Sequence, residues 1–85
     1  MVLNMDPIIY SPKSLGNVLK RQRKAKKLTQ TEVGDAFKLD QTTVSSIEQG
    51  AAGTRLETLF RMLAALDLEM IIQPKKNTPK TGENW

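Results

Sequence analysis

The side chains in this chain best placed to do chemistry are short hydrogen-bonding groups gathered on one short segment. Gln41, Thr42, Ser45 and Ser46 share one side of a helical repeat, Thr43 lies beside them, and Val44 and Ile47 fall on the opposite side. Gln, Thr and Ser carry donors and acceptors at the tips of short or flexible stems. A helix presenting them can enter a DNA major groove, about 12 Å wide, and meet base edges there. Gln41, at the helix start, can bond adenine N6 and N7 together; Thr42 and Ser45 can add hydroxyl bonds, and the Thr42 methyl suits thymine. The helix starts near Thr29-Gln30 and Asp40-Gln41 offer N–H groups and hydroxyls to phosphate oxygens. Asp40 itself repels phosphate and reads as a helix cap.

A polyanion partner also fits the charge. Lys and Arg total 13 against 9 acids, for a net +4. Lys13, Lys20, Arg21, Arg23, Lys24, Lys26 and Lys27 fall in one stretch, and no acid lies between Asp6 and Glu32. A charge run alone is more often a solvated helix face. The polar helix that follows gives this one its meaning, with Lys26 and Lys27 at the turn entering the motif and able to flank a phosphate backbone.

The elements that must hold these groups are legible from caps and periodicity. Ser11-Pro12 opens a first helix to about Lys27, with Leu15, Val18, Leu19, Gln22 and Ala25 at helical spacing. Thr29 and Glu32 have the spacing of a capping box, flanked by Leu28 and Val33 as a hydrophobic staple, and begin a short second helix. Asp40 is placed to cap a third helix, Gln41 to about Gln49, which Gly50 stops in a left-handed conformation. Thr54 and Glu57 repeat the capping-box spacing and open a fourth helix to about Leu66, with Leu56, Leu59, Phe60, Leu63 and Leu66 inward. Leu68 to Gln73, ending at Pro74, reads as one strand. A lone strand must pair, either with the N-terminal arm or with a second copy, which makes Leu68, Met70, Ile71 and Ile72 a candidate dimer interface.

The bounds are an N-terminal arm at 1–10, a DNA-binding and dimerisation domain at 11–74, and a polar tail at 75–85 expected to be disordered. Trp85 is the single large apolar group of that tail. It reads either as a plug for a partner's groove or as an incidental exposed residue, and the tail equally as a protease handle.

Composition excludes much. With 85 residues the core is small, and oligomerisation is a common remedy. Cys and His are both absent, so disulfide scaffolds, zinc fingers, thiol nucleophiles and Ser-His-Asp triads are ruled out. No acid-base pair or phosphate loop is present, so the expectation is a non-enzyme without cofactor or metal. No apolar run nears the roughly 18 residues of a membrane span, and a cytoplasmic protein without membrane contact is expected.

The string Leu28-Thr29-Gln30-Thr31-Glu32-Val33-Gly34 through Thr43-Val44-Ser45-Ser46-Ile47-Glu48-Gln49-Gly50 resembles the Cro/C1-type (XRE) helix-turn-helix family, over about Ser14 to Leu66. The resemblance implies a lambda-repressor-like fold, all-α with four helices, to which the residues add one short C-terminal β-strand that the HipB likeness below pairs across a dimer. It puts base-reading positions on Gln41, Thr42, Ser45 and Ser46, a phosphate clamp on Gln30, and a buried ion pair on Arg23 and Glu48. Gly34 departs from the larger residue common there and should weaken the second helix slightly. More narrowly, Ile9-Tyr10-Ser11-Pro12, the strand and the tail ending in Trp85 are similar to the HipB antitoxins. That likeness implies a homodimer that represses its own operon at palindromic double-stranded DNA and binds a HipA-like serine/threonine kinase toxin. A stand-alone phage-type or restriction-controller repressor is the alternative.

Overall fold

The computed structural model describes residues 8–75, which form four helices: α1 (Pro12–Ala25), α2 (Gln30–Ala36), α3 (Gln41–Glu48) and α4 (Leu56–Ala65). Their starts follow local chemistry. The Ser11 hydroxyl accepts the Ser14 N–H at 3.0 Å, the Ser14 hydroxyl accepts the Ser11 N–H at 3.2 Å, and Pro12 occupies the first helical position. At α2 the Thr29 hydroxyl accepts the Glu32 N–H at 3.0 Å, and the Glu32 carboxylate accepts the Thr29 N–H at 2.8 Å.

Two expected caps do not form. Asp40 precedes α3 in an extended conformation but makes no side-chain cap bond; only its carbonyl enters the helix ladder, accepting the Val44 N–H at 3.1 Å. Before α4 the capping position belongs to Arg55, and the Thr54 hydroxyl instead donates to the Ala51 carbonyl at 3.1 Å, closing the preceding turn. A hydroxyl satisfied one turn earlier cannot also cap the helix.

Helix ends are set by residues with positive φ. Gly50 at φ 91° ends α3, where the Gly50 N–H reaches the Ile47 carbonyl and the Ala51 N–H the Ser46 carbonyl, each at 3.0 Å. Lys27, Lys38 and Asp67, at φ 58°, 60° and 59°, do the same work after α1, α2 and α4.

Leu19, Val33, Val44, Ile47, Leu59, Met62, Leu63 and Leu66 form the buried core, with Leu15, Leu28, Leu39, Ala65 and Leu68 packed at its edge. In this aliphatic cluster α3 packs against α1 and α2, and α2 against α4. The buried stripe of α4 is therefore Leu59, Met62, Leu63 and Leu66, whereas Leu56 and Phe60 are 60% and 51% exposed. The helical period of the sequence puts both inward. Two overlapping stripes of apolar residues satisfy that period here, and packing against α2 chooses the one that includes Met62.

Gly34 also departs from expectation. A Cβ there would collide with the Leu39 carbonyl, and the Leu39 N–H closes back on the Gly34 carbonyl at 2.7 Å. The residue read as a weakness in α2 is what lets the turn into α3 fold tightly.

Leu68 to Gln73 forms neither helix nor strand ladder, and no strand occurs among the described residues. Of the two pairings open to it, the one with the arm is absent among the described residues, although the ends of the described chain do meet, with the Lys75 ammonium 5.3 Å from the centre of the Tyr10 ring. A strand is defined by a partner backbone, and the described residues of a single chain supply none here.

Candidate nucleic-acid interface

The capping box at Thr29 and Glu32 starts α2 and puts Gln30 at its first position, facing the far end of α3. There Glu48 sits 5% exposed opposite Arg23, which is 8% exposed. Arg23 Nε donates to Glu48 Oε2 at 2.6 Å and Nη2 to Oε1 at 3.0 Å, while Nη1 donates to the Leu28 carbonyl at 2.8 Å. Burial pushes the Glu48 carboxyl up, but hydrogen bonds from Arg23 and Gln30, with the charges of Arg23 and Lys20, outweigh it and hold Glu48 below its ordinary value. The hydrogen bond that Arg23 donates to Glu48 raises Arg23 against the opposing effect of burial. The ion pair expected between these residues is present, so Arg23 belongs to the frame and is not free for a polyanion.

The network extends outward from this pair. Gln30 Nε2 donates to Glu48 Oε1 at 3.0 Å, and Gln41 Nε2 donates to Gln30 Oε1 at 2.5 Å. The exposed glutamine at the start of α3 is thus tied through half-buried Gln30 to the buried ion pair. Both ends of the Gln30 amide are occupied, which leaves one Nε2 proton for a phosphate.

The remaining candidate residues divide by environment. Thr42 and Ser46 are exposed and Thr43 is half-buried; all three line an open concavity with Thr54, Arg55 and Thr58. Ser45 is half-buried and its hydroxyl accepts from Gln49 Nε2 at 3.0 Å. Thr29 is engaged in its cap. Lys26 pairs with Asp67 at 2.8 Å, an exposed contact that a phosphate could displace, and Lys27 is exposed at the end of α1.

Arg55 and Thr58 line the same concavity, although the sequence offers Thr54 to Glu57 only as a capping box. The signal in the sequence is a basic residue at the end of the loop that follows α3. Arg55 is exposed and has no ion pair among the described residues.

Of the dimer candidates, Leu68 packs at the edge of its own core, while Met70, Ile71 and Ile72 are exposed, Ile72 to 89%. Trp85 lies outside the described residues. Among the described residues no group of three or more acids could hold a metal ion, and no helix is long and apolar enough to cross a membrane.

The helix-turn-helix family model matches residues 19–72. Antitoxin HipB of Escherichia coli O6:H1 (strain CFT073) is 36% identical over 76 residues, which is 88% of this chain and 81% of the relative. Among solved structures, the HipB chain of a HipA-HipB-O2-O3 complex superposes with a TM-score of 0.79 at 34% identity, covering 84% of this chain and 100% of that one. The restriction-modification controller protein C.AhdI from Aeromonas hydrophila gives a TM-score of 0.64 at 29% identity, over 68% of this chain and 88% of its own. With a family match over more than half its length and HipB identity across nearly all of it, the chain belongs to the Cro/C1-type helix-turn-helix family, among the HipB antitoxins.

Proposed function

We propose that this protein is the DNA-binding antitoxin of a toxin–antitoxin pair. In this reading it is a cytoplasmic homodimer that represses its own operon at a palindromic operator and neutralises a HipA-like serine/threonine kinase. The observation that carries the reading is the outward face of α3. Gln41, Thr42 and Ser46 are exposed there, Gln41 is held by a hydrogen bond, and Thr54, Arg55 and Thr58 line a hollow with Thr42 and Ser46. The HipB relatives support the antitoxin role, and the complex of HipB with HipA supports the toxin partner.

Two copies related by a two-fold axis would set their α3 helices about 34 Å apart, in successive major grooves. Gln41, Thr42, Ser45 and Ser46 read base edges, with Thr43 beside them. Gln30, Thr29, Lys26, Lys27 and Arg55 lie along the phosphates. Exposed Leu56 and Phe60, with Met70, Ile71 and Ile72, offer the apolar surface a second copy would cover. Trp85 and its tail supply the contact with the kinase.

Binding to duplexes from immediately upstream of the gene tests this. Affinity should fall steeply with salt as phosphate contacts release counterions. Gln41→Ala should cost about 1–3 kcal/mol on the preferred duplex and relax preference at one base step. Equal loss on preferred and random DNA would contradict base reading. Deleting residues 75–85 should leave DNA binding intact and weaken capture of the kinase. The likeness to C.AhdI supports a second reading, a stand-alone controller without a toxin. A kinase-sized reading frame overlapping or directly downstream of the gene favours the antitoxin.

A further inference from the structure

We infer that the apolar groove beside the N-terminal arm is a seat for Trp85 of the same chain, which holds the tail against its own domain until a partner draws it away. The inference depends on neither the DNA-binding nor the kinase reading.

The groove runs between the arm, the start of α1 and the loop after α3. Its volume is about 350 Å³, and Ile9, Tyr10, Pro12, Leu15, Ala52 and Leu59 supply its apolar walls. Cavities that hold small organic groups begin at about 300 Å³. On the arm side Ile9 and Tyr10 stand 41% and 72% exposed. None of the lining residues is among those given above to base edges, to phosphates or to a second copy. The groove is therefore apolar surface that the proposed function leaves open.

Its occupant follows from where the chain goes next. The Lys75 ammonium lies 5.3 Å from the centre of the Tyr10 ring, so the described chain ends at the edge of the groove. Trp85 comes ten residues later, and it is the one tryptophan of the chain and the one large apolar group beyond Lys75. Ten residues span at most about 33–36 Å, ample for a return to Tyr10. A short tether keeps the indole at an effective concentration of the order of millimolar. A seat too weak to hold a separate molecule is then still filled by its own tail. Burying an indole takes about 150–250 Å² out of water, and its N–H calls for an acceptor. The Thr54 hydroxyl lines the groove, and while it donates to the Ala51 carbonyl its lone pairs are open to that N–H. An indole in this seat is hidden, so recognition of the tail by a second protein or by a protease begins with its release.

Trp85 reports on its own position, because the chain has no other tryptophan. In the full chain its fluorescence should lie to the blue of free tryptophan amide and be quenched several-fold less by acrylamide. Ala52→Glu puts a carboxylate in the groove from an exposed loop position, and Ile9→Asp puts one there from the arm; neither residue belongs to the buried core. Each variant should return the emission to that of the free amide with circular dichroism unchanged. Trypsin should then cut after Lys80 several-fold faster than in wild type. Wild-type emission equal to that of the free amide overturns the inference. So does a blue shift that both variants retain, which puts the indole elsewhere. A blue shift that vanishes on dilution while the fold persists also overturns it, because the seat then belongs to a second copy.

Discussion

Arg23 and Glu48, from the last turns of α1 and α3, meet through two hydrogen bonds at 2.6 and 3.0 Å with both side chains shut away from solvent. Such a pair is costly to break on one side only. Glu48→Leu or Arg23→Met alone should lose about 3–5 kcal/mol, whereas the double change should recover most of the loss because no buried charge is left unpaired. Denaturant titration of the four proteins in the cycle measures the coupling.

The same pair gives the domain an acid limit. The Glu48 carboxyl lies below its ordinary value in the folded protein, so its contribution is complete above that value, near 4.5, and is lost as pH falls through the folded pKa. The melting temperature should therefore drop on acidification below about pH 4.5, and that drop should be smaller in the Arg23→Met/Glu48→Leu protein. Melting curves between pH 7 and pH 3 decide it. An equal drop in both would assign the acid limit to other carboxylates.

Helix propensity alone says that Gly34→Ala should stabilise α2 by up to about 1 kcal/mol. The Leu39 carbonyl in the path of the new methyl reverses the sign. A loss of about 1–3 kcal/mol is expected, from overpacking against backbone that cannot move without opening the turn into α3. Thermal unfolding of the single variant reads the sign directly.

Phe60 is half exposed on the outer side of α4, and a charge there costs the isolated domain little. Phe60→Glu should raise the dimer dissociation constant tenfold or more and leave the secondary structure of the monomer unchanged. Sedimentation equilibrium together with circular dichroism separates the two. A dimer of unchanged affinity would place the interface elsewhere.

Features governed by neighbours along the chain are legible in the amino-acid sequence itself. The Thr29–Glu32 box, the left-handed Gly50 and the exposed run at Gln41, Thr42 and Ser46 each follow from residue type and spacing, and each is where it was expected. What escapes depends on groups distant in sequence or on competition between partners. Thr54 has the spacing of a cap but finds the Ala51 carbonyl first. Leu56 and Phe60 share the helical period with the buried stripe, and only packing against α2 separates them. Lys26 reads as free in the sequence, yet Asp67, at the far end of α4, comes within 2.8 Å of it. The hydrogen bonds joining Gln41 to Glu48 through Gln30 span two helices, α2 and α3, and have no signature along the chain.

The turn between α2 and α3 is closed by main-chain atoms, the Leu39 N–H on the Gly34 carbonyl, with no outer residue of α3 taking part. The angle of the reading helix is consequently independent of the letters written on it. On the proposed function, exchanges at Thr42 or Ser46 would respell the target without tilting the rod. Gln41 is the exception, because its amide donates to Gln30 on α2.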